Sequence, residues 1–210
     1  ERNIQPLSDD YIKFIRFAEE MIAKNGSGVV AMITNNSYID GLIHRQMRKH
    51  LLQTFDKIYV LDLHGNSKKQ EVAPDGSKDA NVFDIMQGVG IILGVKTGEN
   101  KSELAEVYHA DIYGVRQKKF DELNNDVPEF KNVKVAAPSY FFLSKDTNLQ
   151  SEYEKFIGIR DLMPISSSGV QTKRDLLFVD INQQEVANRI QELLENDVDD
   201  NFISKYNIHD

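Results

Sequence analysis

Four adjacent polar side chains stand directly after the first apolar run of this 210-residue chain. They are Asn35, Asn36, Ser37 and Tyr38, and the run before them, residues 29–34, reads VVAMIT. Amide and hydroxyl groups of this kind can hydrogen-bond the edge of a nucleobase or a cofactor. The same residue types also cap helices and form turns, so a purely local structural role is the alternative interpretation.

A second polar group follows the next apolar run, residues 58–63 (IYVLDL). It comprises His64, Gly65 and Asn66, with the cations Lys68 and Lys69 close behind. Ligands of open parallel sheets bind at the carboxyl ends of the strands, so the two polar groups are expected at one edge of the sheet. There the lysines are predicted to contact phosphate, and turn formation is again the alternative.

The usual motifs of small-molecule and metal enzymes are absent from the sequence. It contains no Gly-x-x-x-x-Gly-Lys, no His-Glu-x-x-His and no cysteine, and Gly88-x-Gly90 precedes a strand rather than following one. The five histidines lack metal-ligand spacing, so the sequence predicts no metal site. A complete small α/β enzyme is therefore disfavoured.

Composition limits the partners and the compartment. A formal charge of -8 would repel a phosphate backbone, which disfavours a freestanding non-specific DNA-binding protein. A basic run at residues 44–50 (HRQMRKH) is typical of a solvated helix face. The longest apolar run, residues 88–95, is too short to span a membrane. With no cysteines, the chain is expected to be cytoplasmic and to make no membrane contact.

Apolar spacing predicts an α/β domain built on a parallel sheet. The first strand is a continuous apolar run and is expected to be buried on both faces. The polar stretch 64–81 is long enough to suggest a functional loop. The predicted elements are helix 12–25, strand 29–34, helix 40–55, strand 58–63, strand 91–96, strand 105–113 and helix 115–124.

The pattern changes after residue 124, so we predict one domain at 1–124 and another at 125–210. The Ser-rich stretch 166–169 reads as a hinge. The elements predicted for this part are strands 133–137, 140–143 and 176–181 and helices 149–156 and 183–195.

Three stretches resemble gamma-class adenine-N6 DNA methyltransferases, above all those of large single-chain restriction-modification enzymes. They are residues 33–41 (ITNNSYIDG), 61–69 (LDLHGNSKK) and 81–96 (NVFDIMQGVGIILGVK), within a similar region of about 8–115. The resemblance implies the C-terminal part of a Rossmann-like S-adenosylmethionine-dependent methyltransferase sheet, ending in the family's characteristic hairpin. The start of an α+β target-recognition region would follow.

In that family, a strand ending in Asn-Pro-Pro-Tyr precedes the helix that matches residues 11–24, and the glycine motif for S-adenosylmethionine lies earlier. Neither motif occurs in this chain, which also begins without methionine. The chain is therefore expected to be an inactive fragment that lacks the principal catalytic residues. S-adenosylmethionine as cofactor and double-stranded DNA as partner would belong to the intact enzyme.

The resemblance also implies roles for individual residues. Asn35, Asn36, Ser37 and Tyr38 would border the pocket for an adenine flipped out of the duplex, and Phe83 would stack on that base. Core packing is the alternative for Phe83, because a phenylalanine beside an apolar strand usually faces the core.

A shorter resemblance lies at residues 168–175 (SGVQTKRD), which is similar to the Gly-x-x-Thr-x-Arg-Asp segment at the start of the target-recognition region. It implies that Thr172, Lys173 and Arg174 contact DNA phosphates. A structural pair between Arg174 and Asp175 is the alternative.

One rival hypothesis comes from a different functional class. The chain would then be a DNA-recognition or interaction module that uses a methyltransferase-like sheet only as a scaffold. Under the fragment hypothesis, a truncated sheet should expose a strand edge and an apolar face, so a homo-oligomer formed through that surface is predicted.

Overall fold

The structure, a computed structural model, describes residues 5–99, 103–125, 127–146, 148–165, 169, 172–195 and 199–208. The chain forms two compact units, Glu1–Thr147 and Asn148–Asp210. The structural division therefore falls later than the predicted boundary at 124/125. The reason is that the segment after residue 126 adds a strand and the buried side chain of Phe142 to the first unit.

Helices and strands of the first unit follow most of the predicted apolar spacing. Asp9 caps the first helix by accepting a hydrogen bond from Tyr11 N, and Gly26 ends it in the left-handed conformation (φ 83°). The helices are α1 (Asp10–Asn25), α2 (Ser37–Asp40), α3 (Arg45–Thr54) and α4 (Arg116–Asn125). The strands are β1 (Gly28–Asn35), β2 (Lys57–Asp62), β3 (Val89–Lys96), β4 (Glu106–Asp111) and β5 (Lys131–Val133). Short 3-10 turns lie at Gln5–Ser8, Leu42–His44 and Ser67–Lys69.

The described residues form a five-stranded mixed sheet in the order β1-β3-β2-β4-β5. This confirms an α/β fold, but the expectation of a parallel sheet is wrong: β2 and β4 are parallel, and the other three pairings are antiparallel. Strand β3 lies between β1 and β2 and runs against both. Consequently β1, β2 and β4 point the same way, and their carboxyl ends lie at one edge of the sheet.

The prediction that β1 is buried on both faces is also wrong. Its side chains alternate: Val30 and Met32 pack against the core, whereas Val29 is 59% exposed and Ile33 is 53% exposed. Among the described residues, β1 pairs with β3 on one side and has no strand on the other. An apolar run predicts a strand, but it does not show whether other elements pack on both faces of that strand.

The main core packs one face of the sheet against α1, α2 and α3. Arg48 lies fully buried beside this core and holds two distant segments together. Its guanidinium donates to the carbonyls of Tyr38 (2.6 Å), Gly41 (2.8 Å) and Ser139 (2.6 and 3.0 Å). Burial lowers the pKa of Arg48 to about 10. The buried apolar members of the core are Ile15, Tyr38, Ile39, Leu51, Leu52, Phe55, Ile58, Val60, Ile92, Ala105, Val107, Val133 and Phe142.

The second unit is helical where it is described. The predicted helix 183–195 is confirmed, but residues 175–178 form a helix, so the predicted strand 176–181 is wrong. A short apolar run suits a buried helix turn as well as a strand, which explains the error. Its small core comprises Leu177, Phe202 and Tyr206. The helices are α5 (Gln150–Tyr153), α6 (Ile159–Leu162), α7 (Asp175–Phe178), α8 (Gln183–Glu195) and α9 (Asp200–Lys205).

Two further predicted elements differ from the structure. Residues 140–143 form no strand, and the predicted strand 133–137 shares only Val133 with the observed β5. Most of the predicted hinge at 166–169 lies outside the described residues. No helix in the described parts of the chain is both long and apolar enough to cross a bilayer.

Candidate functional site

Polar and charged side chains collect at the edge where β1, β2 and β4 end. Strand β1 ends at Asn35, β2 at Asp62 and β4 at Asp111. Asp62 and Asp111 are direct register partners in the parallel pair, so two carboxylates stand side by side. This edge is the one at which ligands of open α/β sheets bind.

The predicted group after β1 is engaged mainly in local structure. Asn35 is buried, and its Nδ2 donates to Asp9 Oδ2 at 2.5 Å. Its Oδ1 accepts from the backbone N–H (3.2 Å) and the hydroxyl (2.5 Å) of Ser37. Tyr38 is buried, so the pKa of its hydroxyl is raised. Asn35 and Ser37 are thus hydrogen-bonded to each other in the turn after β1, and Asn35 also joins this turn to Asp9.

Asn36 joins this group to the second one. Its Nδ2 donates to Asp62 Oδ1 at 2.9 Å, and the same oxygen accepts from the backbone N–H of His64 at 2.9 Å. Gly88 lies against the Asn36 amide so closely that a Cβ there would come within 2.5 Å of its Nδ2. The two polar groups predicted from sequence therefore meet at Asp62.

His64 is the centre of a cluster of carboxylates. Its Nδ1 lies 2.8 Å from Glu71 Oε1, and its Nε2 lies 2.8 Å from Asp111 Oδ1. Asp62 Oδ2 lies 3.8 Å from His64 Nδ1. His109 Nε2 approaches the same Asp111 oxygen at 3.0 Å.

The pKa values of the cluster reflect burial opposed by mutual attraction. Burial lowers the pKa of His64, but Asp111, Asp62 and Glu71 together raise it above its usual value. Burial raises the pKa of Asp62, and His64 offsets only part of that shift. At Asp111, burial is outweighed by hydrogen bonds from His109 and His64, so its pKa falls well below the usual range.

The long loop between β2 and β3 runs over this edge and carries the predicted base-stacking residue. Phe83 is 45% exposed and lies outside the hydrophobic core, so it is accessible to a ligand. Its backbone N–H donates to Asn81 Oδ1 (2.8 Å), and Asn81 Nδ2 donates to the carbonyls of Gly65 (3.2 Å) and Gln87 (2.6 Å). Lys68 and Lys69 are exposed in the 3-10 turn of the same loop.

A buried ion pair fixes the base of this loop. The Lys119 ammonium lies 2.8 Å from the Asp79 carboxylate, and both side chains are fully buried. Lys119 also donates to the carbonyls of Leu63 (2.6 Å) and Ala80 (2.8 Å). Asp79 accepts from the backbone N–H groups of Gly65 (2.6 Å) and Gly114 (2.7 Å), so both charges are fully hydrogen-bonded.

A groove opens beside the histidine cluster. Its volume is about 490 Å³, and His109 and Asp111 form part of its wall. Glu122, Glu129 and Lys131 contribute the other charged side chains. The groove therefore presents more negative than positive charge and leads to the Asp111 carboxylate.

The predicted phosphate-binding residues of the second resemblance lie in the second unit. Thr172 Oγ1 donates to Asp175 Oδ1 at 2.5 Å and accepts from Arg174 N at 3.0 Å. Lys173 is exposed in the left-handed conformation (φ 55°). Residues 168, 170 and 171 of this stretch lie outside the described residues. DNA contact by Thr172, Lys173 and Arg174 stays a prediction.

Sequence reasoning missed Asp62, Glu71, His109 and Asp111. No metal site was predicted because the histidine spacing was judged only over short stretches of sequence. Asp111 contacts His64 although the two residues lie 47 positions apart. One signal was present: two separate strands each end in an aspartate.

Comparisons with known proteins identify structural relatives. No family model matches the chain, and no curated protein matches it. The structure titled "ATP-dependent Type ISP restriction-modification enzyme LlaBIII bound to DNA" is similar at a TM-score of 0.64 and 26% identity, over 91% of this chain and 13% of that one.

Two further structures share the fold. The DrdV-DNA complex is similar at a TM-score of 0.59 and 23% identity, over 90% of this chain and 20% of that one. A nuclease-deletion mutant of the Type ISP restriction-modification enzyme LlaGI, in complex with a DNA substrate mimic, has a TM-score of 0.62 and 21% identity. That match covers 98% of this chain and 21% of the other. The chain thus spans about a fifth or less of each of these proteins.

Proposed function

We propose that this chain is part of a restriction-modification enzyme and forms the base-facing side of its DNA adenine-N6 methyltransferase domain. In the intact protein, S-adenosylmethionine would donate the methyl group to an adenine flipped out of double-stranded DNA. The observation that carries the proposal is the similarity to LlaBIII, at 26% identity over 91% of the chain.

The sheet topology supports the methyltransferase part of the proposal. The resemblance in sequence predicts that the later strands of the methyltransferase sheet end in a hairpin. Strands β2 and β3 are consecutive and pair antiparallel, with β3 inserted next to β1. A base that entered at the carboxyl ends of the strands would meet this polar edge of the sheet.

The geometry of the site supports different roles for the predicted residues, some structural and some in contact with DNA. Asn35 and Ser37 are hydrogen-bonded in the turn after β1 and Tyr38 is buried in the core, while the exposed Phe83 is the member best placed to meet a base. Lys68 and Lys69, in the same loop as Phe83, would contact phosphate. Lys173 and Arg174 would do so from the target-recognition region.

One observation favours the rival function, a recognition module that uses this sheet only as a scaffold. The amides of Asn35 and Asn36 are already occupied by Asp9 and Asp62, as expected if these groups stabilise structure alone. The two functions differ in whether the site contributes to methyl transfer once the missing motifs are supplied.

The test compares this chain with a version extended upstream until it contains an Asn-Pro-Pro-Tyr motif and a glycine motif. Calorimetry with S-adenosylmethionine and detection of N6-methyladenine in duplex DNA are the measurements. We expect neither cofactor binding nor methylation from the chain alone, and both from the extended chain.

Variants at Phe83 test the site within the extended chain. Phe83→Ala should lower methylation about tenfold or more, because base stacking on an aromatic ring is worth roughly 1–3 kcal/mol. Phe83→Tyr keeps the ring and should retain activity, and Phe17→Ala, an exposed residue of α1, serves as the matched control. An extended chain that binds DNA but transfers no methyl group would favour the scaffold function instead.

A further inference from the structure

We propose that Asp62, His64 and Asp111 bind a divalent first-row transition-metal ion such as Zn²⁺. Each residue offers one ligand atom, and these atoms lie within 4.8 Å of one another. Metal–ligand bonds of about 2.0–2.2 Å place neighbouring ligand atoms of a tetrahedral ion about 3.4 Å apart. Binding would therefore require the widest spacing in the cluster to close by about 1 Å, and His64 Nε2 and Asp111 Oδ1, now 2.8 Å apart, to separate by about half an ångström.

The two contacts of the His64 ring provide the first argument. A neutral imidazole carries one N–H, so it can donate to one carboxylate only. Here both ring nitrogens lie 2.8 Å from carboxylate oxygens, Glu71 on one side and Asp111 on the other. A metal ion shared by Nε2 and Asp111 resolves this conflict and leaves Nδ1–H to donate to Glu71.

That arrangement is the usual outer shell of a metal-bound histidine. Ligating histidines donate their second nitrogen to a carboxylate or carbonyl, which fixes the tautomer and the ring orientation. Glu71 fills this position, and Tyr113 stacks on the ring with the centroids 3.9 Å apart. The Asp62 carboxylate is fixed in turn by Asn36 Nδ2 and by the backbone N–H of His64.

The local charge provides the second argument. In the described parts of the chain, the salt bridges of Asp62, Glu71 and Asp111 involve histidines and neither lysine nor arginine. Three carboxylates therefore surround one imidazole with little fixed positive charge, and all three are more than half buried. A mixed set of imidazole and carboxylate ligands suits Zn²⁺ or Co²⁺ better than Mg²⁺, which prefers oxygen alone.

His109 adds a second buried imidazole beside Asp111. Its side chain is more than nine-tenths buried, and its Nε2 lies 3.0 Å from the same Asp111 oxygen that His64 contacts. The neighbouring groove gives an ion a path, because Asp111 is 42% exposed and forms part of the groove wall. A bound ion would join β2 to β4, while Glu71 ties the long loop to His64.

The experiment uses the whole chain without a histidine tag, stripped with a chelator and titrated with ZnCl₂ by calorimetry at pH 7.5. We expect one saturable site, weak or no binding of Mg²⁺, and a visible absorption spectrum of the Co²⁺ form with nitrogen and oxygen ligation. This readout is independent of methyl transfer, so it can succeed or fail whatever the outcome for the proposed function.

Matched variants decide whether the cluster is the site. His64→Gln and Asp111→Asn should each weaken Zn²⁺ binding at least tenfold, and Glu71→Gln about tenfold, as expected for an outer-shell partner. His50→Gln, at a half-exposed histidine of α3, should leave binding unchanged. Circular dichroism checks folding, and if His64→Gln does not fold, Asp111→Asn decides the result.

Two outcomes would overturn the proposal. One is the absence of saturable Zn²⁺ binding, with NMR showing His64 doubly protonated at pH 7.5, because the cluster is then an imidazolium held by carboxylates. The other is Zn²⁺ binding that Asp111→Asn leaves unchanged.

Discussion

The two compact units of the chain differ in the interactions that stabilise each of them. The first unit buries a sheet core and also buries Arg48 and the Lys119–Asp79 pair, each with several hydrogen bonds. The second unit has a described core of Leu177, Phe202 and Tyr206, while many of its other apolar side chains remain exposed. Buried charges with all their hydrogen bonds made hold particular segments in one position. A small apolar core stabilises its unit without specifying the position of each segment in this way.

The largest expected effect concerns the buried ion pair of the first unit. Lys119→Met removes the cation and leaves the Asp79 carboxylate buried, so the free energy of unfolding should fall by about 3–5 kcal/mol. Urea denaturation followed by circular dichroism measures this change. Lys118→Met, at the exposed neighbouring position of α4, is the control and should change stability little. Equal losses in both variants would contradict a special role for the buried pair.

The second effect concerns the small core. Phe202 is 6% exposed, and Phe202→Ala should destabilise the second unit by about 3 kcal/mol. We expect amide signals from α8 and α9 to lose dispersion in ¹H–¹⁵N NMR spectra while those from β1 to β4 keep their positions. Phe156→Ala, at a mostly exposed phenylalanine, should leave both sets unchanged. Collapse of both units in Phe202→Ala would mean that they do not fold separately.

A smaller effect should appear in the pH dependence of the first unit. His44 is buried, and neither ring nitrogen has a hydrogen-bond partner among the described residues. Burial and the charge of Arg48 lower its pKa, and Asp9 and Asp40 offset only part of this shift. The unfolded chain, with an ordinary histidine pKa of about 6.5, therefore takes up the proton more readily.

The stabilisation is thus complete above about pH 6.5 and declines as the pH falls below it. Denaturation of the wild type at pH 7 and pH 5 should show a greater loss of stability than in His44→Leu. Parallel slopes for wild type and His44→Leu would show that His44 does not titrate across the transition.

Apolar patterning predicted the positions of the sheet strands well but not their arrangement. Strands β1 to β4 fall where the runs 29–34, 58–63, 91–96 and 105–113 predicted them. The insertion of β3 between β1 and β2 could not be predicted, because an apolar run specifies neither the direction nor the neighbour of a strand. In the second unit, residues 175–178 form a helix where a strand was predicted. The prediction failed because a short apolar run fits either structure.

Only some residues of the candidate site could be predicted, because sequence patterns do not show how the strands are arranged. Asn36 and His64 were identified because each follows a strand in the sequence. Asp111 was missed because its contact with His64 depends on the parallel register of β2 and β4, which only the folded sheet establishes. The structural role of Asn35 likewise depends on Asp9, which lies 26 residues away.

The buried guanidinium of Arg48 limits where recombination during evolution can join this chain to a different C-terminal segment. Two of its four hydrogen bonds end on the Ser139 carbonyl, beyond the domain boundary that the sequence predicted. A recombination event that joined residues 1–124 to a different C-terminal segment would remove that acceptor and leave a buried cation without two of its hydrogen bonds. The segment that recombination can exchange should therefore extend to the end of the first compact unit at Thr147, and natural chimaeras should have their crossovers after it.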